Sequence, residues 1–260
     1  MKSFFRMSYP YILWIAVFIV APMIMILLYA VTRATGDSTL AFQFTLDNFA
    51  KFFSDPTFMR VLLTSLRIAL LTTVFCLLIG YPAALFIANL PERRQTTMVL
   101  LLTLPMWINM LLKTYAWRGI LEDMGFASEV KVLIGMVYDF LPYMIIQIHS
   151  AISKMDGNLL IAAHDLGANK WKTFLKVTLP LSIPGIISGI TLVFLPAVSS
   201  FVIPNMLGGG DYYLIGNLIE NCFVHTGQWN FGSAISLIMA LIIITSMRLT
   251  KKLDREAQEA

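Results

Sequence analysis

The sequence predicts an all-α integral membrane protein with six transmembrane helices. Hydrophobic residues make up 58% of the 260 positions and charged residues only 13%, and the mean hydropathy is +0.75. One soluble core cannot bury that much apolar surface, so the excess must face lipid. The apolar residues also collect into stretches of about 20 residues, the length at which a helix crosses the hydrocarbon layer.

These stretches place six spans along a single domain, residues 1–260. The first follows Lys2 and Arg6 and is longer than the apolar part of a signal peptide, so we expect it to persist as an uncleaved span. The second exceeds the minimum length, which predicts a tilt or an end that projects into water. The predicted spans are 10–32, 60–89, 98–117, 132–150, 184–204 and 231–247.

The basic residues are unevenly distributed between the two sides of these spans. Lys and Arg collect on the cytoplasmic side of membrane proteins. The loops on one side carry a small set: Arg33, Lys51, Arg118 and Lys131. The termini and the loops on their side carry a larger one: Lys2, Arg6, Arg93, Arg94, Lys154, Lys170, Lys172, Lys176, Arg248, Lys251, Lys252 and Arg255. We therefore expect both termini and the loop after span four to be cytoplasmic.

That loop predicts a helical hairpin. Apolar residues repeat at helical spacing on both sides of Gly167: Leu159, Ala162, Ala163 and Leu166, then Trp171, Phe174, Leu175 and Thr178. Such spacing places each set on one face of a helix. Asp156 or Asn158 can cap the first helix and Asn169 the second. Gly167 suits the left-handed position between them, and Pro180 should end the second helix.

Several kinds of functional site have no signal in the sequence. The three histidines are scattered, and Cys76 and Cys222 lie far apart without neighbouring histidines, so we predict no metal or redox site. Phosphate-binding glycine loops and catalytic serine or zinc motifs are missing as well. The basic residues follow the loops instead of forming one stripe with aromatics, which argues against nucleic-acid binding. We predict that the chain has no catalytic or nucleotide site of its own.

The hairpin resembles the EAA loop of ABC importer permeases. That signature begins with EAA, followed by three residues of any kind and a Gly. Nine further residues separate this Gly from an aliphatic residue, any residue, Leu and Pro. Ala162, Ala163, Gly167 and residues 177–180 match it, whereas Ile161 stands where the family usually has Glu. Further positions resemble the spermidine/putrescine branch of the family: 80–82, Pro105, Trp107, 115–117, Leu141, Pro142, Asp156, Asp165, 179–186, 195–197, Phe201, Val202, Pro204, 207–210, 215–219, Phe231 and Gly232.

The resemblance implies a type I ABC importer (MetI-like) fold with residues 156–180 as a cytoplasmic coupling hairpin. The implied function is half of the translocation pathway of an ATP-driven importer for polyamines, in the bacterial cytoplasmic (inner) membrane. The implied partners are a second homologous permease, two copies of an ABC ATPase, an external polyamine-binding protein and membrane lipid. The chain itself would hold no cofactor, because ATP and Mg²⁺ would bind to the ATPase.

Two alternatives to a polyamine importer stay open at this point. One is a permease for another small solute, such as an iron, sulfate or thiamine compound. The other is an ATP-independent transporter, which would need no docking hairpin. Fold-level resemblance alone does not decide the cargo.

The resemblance also assigns roles within the hairpin. Ala162, Ala163, Asp165 and Gly167 would hold its shape, and Ile161 would contact the ATPase. Helical phase puts Ile161 near Asp165, away from the predicted apolar face, so we expect its side chain to face outward. An apolar residue there predicts a more apolar docking contact than the family norm.

Asp139 is the first candidate for the substrate pathway, because a carboxylate inside a membrane span must be paired or line a wet cavity. Arg67 in span two lies at a depth that permits an ion pair with it, and Lys113 in span three lies at comparable depth. The sequence therefore leaves two roles open for Asp139: a structural ion pair, or contact with a cationic substrate.

Trp107, Asn109 and Tyr138 are the other pathway candidates. Trp107 and Asn109 follow Pro105, whose missing N–H can open the helix toward a cavity, although core packing would also explain them. Tyr138 and neighbouring aromatics can hold an alkylammonium group by cation–π contact.

Overall fold

A computed structural model of the chain describes residues 10–34, 42–210 and 212–259. Lys2 and Arg6, used above to orient the chain, lie outside the described residues. Five described helices are long and apolar enough to cross a membrane, and a bent pair of helices supplies a sixth candidate. This helical architecture agrees with the predicted fold class.

The elements run in the following chain order. They are α1 (Pro10–Ala30), β1 (Thr32–Ala34), β2 (Phe42–Phe44), α2 (Asp47–Ser54), α3 (Pro56–Ala88), α4 (Glu92–Trp107), α5 (Met110–Glu122), α6 (Ser128–Ser153), α7 (Gly157–Asp165), α8 (Lys170–Thr173), α9 (Leu179–Ser199), α10 (Val202–Leu207), α11 (Ile215–Glu220) and α12 (Trp229–Glu259). Short π turns lie within or between helices at Ala16–Val20, Phe174–Thr178 and Asn221–His225.

The first of two compact units consists of Met1–Val61 and Leu218–Ile242. Its α1 has no buried residue in its apolar window, so that helix offers its whole circumference to lipid or to another protein. After α1 the chain turns into the antiparallel ribbon of β1 and β2. Side-chain amides of Asn48 and Asn230 both donate to the Thr32 carbonyl oxygen, at 3.0 and 2.9 Å, and so fix this turn.

The second unit consists of Leu62–Asn217 and Ile243–Ala260 and is built around α6 and α9. Glycines on α9 let the two helices pack closely, since a Cβ on Gly189 would lie 2.5 Å from the Met144 sulfur and one on Gly185 would lie 2.8 Å from a backbone oxygen of α6. Small residues at such contacts are typical of membrane helices, where packing replaces the hydrophobic driving force. A 2.8 Å hydrogen bond between the Tyr81 and Ser182 hydroxyls joins α3 to α9.

The predicted third span, 98–117, is not one straight helix. It corresponds to α4 and α5, which meet at an angle of 90°. The break lies at Ile108 and Asn109, whose ψ values of 136° and 131° are extended. Pro105 is in the last turn of α4, where its missing N–H leaves a helical carbonyl without a donor and weakens the helix just before it ends.

Pro180 does not end a helix, so this prediction was wrong. The π turn Phe174–Thr178 joins α8 directly to α9, and Lys170–Ser199 runs as one 30-residue helix. Pro180 lies in the first turn of α9. Proline is tolerated here because the backbone hydrogen bonds of the π turn just before it do not need a donor N–H at position 180.

Candidate functional site

The first candidate site is the hairpin of α7 and α8, whose predicted caps are confirmed. Asp156 accepts from the Asn158 N–H at 2.9 Å, and Asn169 accepts from the Lys172 N–H at 2.8 Å. Gly167 has φ +76° and follows Leu166, the C-cap residue of α7. Its N–H donates to His164 O at 2.9 Å, and the next N–H donates five residues back at 3.0 Å, the bonding pattern of a Schellman cap.

The apolar face predicted for α7 is mostly exposed within the chain. Within the chain only Ala163 of that face is buried, whereas Leu159 and Ala162 are exposed and Leu166 is 89% exposed. Ile161 is 59% exposed, as expected. The hairpin therefore presents apolar side chains on several sides of one short helix. A membrane protein tolerates such a surface where a partner covers it.

The second arm of the hairpin extends this apolar surface. Trp171 is 67% exposed and stacks on Phe174 with ring centroids 5.5 Å apart. A groove of about 360 Å³ runs between the arms, lined by Ala163, Leu166, Gly167, Ala168, Lys172, Thr173, Lys176 and Val177. Because the groove has apolar walls and two lysines, Lys172 and Lys176, it can bind an apolar side chain of a partner that is flanked by acidic residues. Asp165, the last residue of α7, is exposed.

The second candidate site is an ion pair between α5 and α6. Asp139 Oδ1 accepts from Lys113 Nζ, and the two side chains are only 13% and 10% exposed. The pair with Arg67 considered from the sequence does not form, because Arg67 instead binds Glu129 at 2.6 Å in a largely exposed pair. Burial raises the pKa of the Tyr212 phenol beside this outer pair, although the Arg67 guanidinium acts in the opposite direction.

Two pairs of side chains join α5 to α6. Lys113 near the start of α5 meets Asp139 in α6, and one turn later Trp117 meets Tyr138, with ring centroids 5.1 Å apart. Tyr138 remains 37% exposed. An aromatic pair thus lies next to the buried ion pair on the same two helices.

Trp107 and Asn109 lie at the corner between α4 and α5. Trp107 is 81% exposed, which excludes core packing within this chain. Asn109 is exposed, and its side chain caps α5 by accepting from the Leu111 N–H at 2.8 Å. The Asn109 carbonyl accepts from the Lys113 N–H at 3.2 Å, so the corner and the ion pair share one helical turn.

Sequence reasoning identified Lys113 as a possible cation at this depth but did not assign it to Asp139. In the sequence, Lys113 lies one helical turn after Asn109. Its pairing with Asp139 also depends on the 90° break between α4 and α5, which sequence spacing does not show. Within the described part of the chain, no three His, Cys, Asp or Glu side chains are grouped to hold a metal ion.

Apolar spanning helices, a broken helix with a buried ion pair and an exposed apolar hairpin are features of a membrane transport subunit. The model of the family described as "Binding-protein-dependent transport system inner membrane component" matches residues 3–258, so the chain belongs to that family. It is a membrane subunit of a transport system and not an enzyme.

Two relatives that match over nearly their whole length are both PotB permeases. The chain is 37% identical to the spermidine/putrescine transport system permease protein PotB of Haemophilus influenzae, over 94% of this chain and 93% of the relative. It is 35% identical to PotB of Escherichia coli (strain K12), over 94% of this chain and 97% of the relative. These matches confirm the resemblance noted in the sequence.

Solved structures confirm the fold. A bacterial ABC transporter involved in the import of the acidic polysaccharide alginate superposes with a TM-score of 0.76 at 15% identity, covering 98% of this chain and 96% of that one. The MetNI methionine ABC transporter in an inward-facing conformation gives a TM-score of 0.62 at 13% identity, covering 76% of this chain and 95% of that one. At such identities the likeness concerns the fold alone.

Proposed function

We propose that this chain is one of two permease subunits of an ATP-driven importer for polyamines, of the spermidine and putrescine class. It contributes half of the translocation pathway and couples through its hairpin to a separate ATPase. An external binding protein delivers the polyamine, and both termini and the hairpin lie in the cytoplasm of a bacterium.

The observation that carries the cargo assignment is 35–37% identity, over more than nine tenths of the chain, to permeases named for spermidine and putrescine. A cationic cargo also fits the interior of the chain. Tyr138 directly precedes Asp139 in α6, and carboxylates and aromatic faces are the groups that hold alkylammonium ions.

The exposed hairpin supports coupling to an ATPase. Ile161 and Leu166 extend from a helix that is capped at both ends, so the apolar surface is held in a fixed shape. Ala163 is buried and lines the groove together with Gly167, while Ala162 and Asp165 are exposed on α7. A partner that binds this surface differently in two states shifts the permease between outward and inward openings.

The pathway residues proposed are Trp107, Asn109, Tyr138 and Asp139. Trp107 is exposed at the corner between α4 and α5, where a broken helix lines a passage more readily than it lines lipid. Asp139 provides the negative charge and Tyr138 an aromatic face one residue away.

Uptake of labelled spermidine tests this function in cells that lack their own polyamine importers and express the chain with its transport partners. We expect uptake that competes with putrescine and is abolished by an inactive ATPase. Labelled sulfate and thiamine serve as cargo controls; uptake of either one in place of spermidine would overturn the polyamine assignment.

Coupling is tested in the same cells with Leu166→Lys, because a charge at an apolar contact must be desolvated. We expect the variant subunit to reach normal levels in the membrane, since Leu166 is exposed, but to copurify with the ATPase at least about tenfold less, a loss of about 1.4 kcal/mol. Asn158→Lys, which places the same charge at an exposed position of α7 outside the apolar surface and the groove, is the matched control and should leave the subunit folded and coupled.

A further inference from the structure

We propose that Lys113 occupies, in the unloaded permease, the position at Asp139 that a substrate ammonium group takes during transport. The inference rests on the proposed function, because a cationic cargo is needed to replace a lysine at a carboxylate. It makes Lys113 a specificity-determining residue: solutes without a positive charge cannot displace it, and α5 stays fastened to α6 until a cation arrives.

The depth of Asp139 supplies the first argument. Asp139 lies eleven residues after Ser128 and fourteen before Ser153 in α6, about 16 and 21 Å from the two helix ends at 1.5 Å per residue. A carboxylate at that depth needs a partner, and removing one member of a buried pair leaves an uncompensated charge. Lys113 therefore leaves Asp139 only when another cation replaces it.

The chemistry of the two partners supplies the second argument. The lysine ammonium is a compact charge with three N–H donors on a flexible four-carbon stem. A primary ammonium group of a polyamine is the same donor on the same kind of alkyl chain. Exchange of one for the other conserves both the charge and the hydrogen bonds at Asp139 Oδ1, so neither state contains an unpaired buried charge.

The positions of the two residues decide which one moves. Asp139 lies within the 26-residue helix α6, between buried neighbours on both sides, including Met136 and Phe140. Lys113 lies in the first turn of the 13-residue helix α5, directly after the extended residues Ile108 and Asn109. Extended residues between two helices can absorb a change of angle, so release of Lys113 frees the start of α5 to turn about this break.

The aromatic pair gives an arriving ammonium group an intermediate contact. Tyr138 is partly exposed and meets Trp117 edge to face, one turn along α5 from Lys113. Aromatic faces attract alkylammonium ions without requiring a negative charge. A cation can thus be held beside the ion pair before it displaces Lys113.

A purely structural ion pair makes a different prediction. A charge-reversed pair keeps one cation and one anion in contact, so neither buried charge is left uncompensated. If the pair only joins α5 to α6, the charge-reversed variant Lys113→Asp/Asp139→Lys should therefore transport normally. If a polyamine must bind at position 139, the same variant should assemble and yet fail, because a lysine there repels the cargo.

The experiment measures spermidine uptake by the complete importer carrying this reversed pair, normalised to the amount of assembled complex. We expect at least a tenfold loss relative to the original chain. The matched control is Arg67→Glu/Glu129→Arg, which reverses the exposed pair (58% and 38% exposed) and should keep uptake within about twofold, as surface pairs contribute little. Uptake by the reversed inner pair at the control's level would overturn the proposal.

Lys113→Met provides a second readout that holds even if the reversed pair does not assemble. It leaves Asp139 without a cation, so the purified complex should melt at a lower temperature and regain several degrees on addition of millimolar putrescine. Lys113→Met/Asp139→Asn should show no such gain, and a complex with Lys113→Met that putrescine does not stabilise would overturn the proposal. Absence of spermidine uptake by the original chain would instead overturn the polyamine function, so the two failures are distinguishable.

Discussion

Gly167 is the residue on which the shape of the hairpin depends. Its φ of +76° lies in the left-handed region. The two hydrogen bonds of the cap that ends α7 are donated by the Gly167 and Ala168 N–H groups. A side chain there meets no atom within 4 Å, so the obstacle to substitution is backbone strain and not a clash. L-residues pay about 1–2 kcal/mol for this conformation, and β-branched ones more.

We therefore expect Gly167→Val to reduce polyamine uptake severalfold at unchanged membrane levels, because the strained turn misplaces the docking surface. Uptake of labelled spermidine, normalised to the amount of permease, measures the effect. Gly157→Val is the matched control: Gly157 begins the same helix, has no positive φ and likewise has open space around it. Equal uptake by the two variants would show that the turn does not contribute to coupling.

At the scale of elements, the break between α4 and α5 positions Lys113 at Asp139. Asn109 stabilises the start of α5 by accepting from the Leu111 N–H, and losing such a cap costs about 1 kcal/mol. In a domain of this size that shift corresponds to about 2–4 °C in melting temperature.

Asn109→Ala should accordingly lower the melting temperature of the purified permease by a few degrees and loosen the turn that carries Lys113. Asn109→Ser keeps a capping oxygen and should behave like the original residue. Thermal unfolding in lipid nanodiscs compares the three chains. If the serine variant were as destabilised as the alanine variant, the cap would not be the cause.

The sequence was sufficient where the determinants are local. Asp156, Asn169 and Gly167 act through hydrogen bonds and backbone angles within a few residues of themselves, and each was predicted correctly. Pro180 also gave a local signal, but the adjoining π turn altered the hydrogen bonding on which that signal depends.

The sequence was insufficient where the determinants are distant. Depth along a span could not choose between Arg67 and Lys113 as the partner of Asp139, because the choice depends on the angle between α4 and α5. Helical spacing placed Leu166 on an apolar face but could not tell whether the same chain covers that face, and Leu166 is exposed.

At the scale of the whole molecule, the proposed orientation follows from the distribution of basic residues and can be tested with single cysteines. Asn158→Cys lies in the hairpin and Asp123→Cys in the loop after α5, and both positions are exposed. Cys76 and Cys222 are buried, and burial raises the pKa of the Cys222 thiol, so their background reaction should be slow.

A membrane-impermeant maleimide should label Asp123→Cys in intact cells but label Asn158→Cys only after the cells are opened. This outcome would place the hairpin and, with six spans, both termini in the cytoplasm. The reverse pattern would contradict the orientation and, with it, the docking of a cytoplasmic ATPase on the hairpin.

The continuous helix Lys170–Ser199 has a mechanical consequence. At 1.5 Å per residue it forms a rod about 45 Å long, with Trp171 near one end and Ser199 at the other. Axial force applied by a partner at the hairpin reaches the far end without crossing a loop. Gly185 and Gly189 bring α9 into close contact with α6, so a displacement of the rod is passed on to α6. The rod ends at Ser199, because the next residue, Ser200, is extended with ψ 136°.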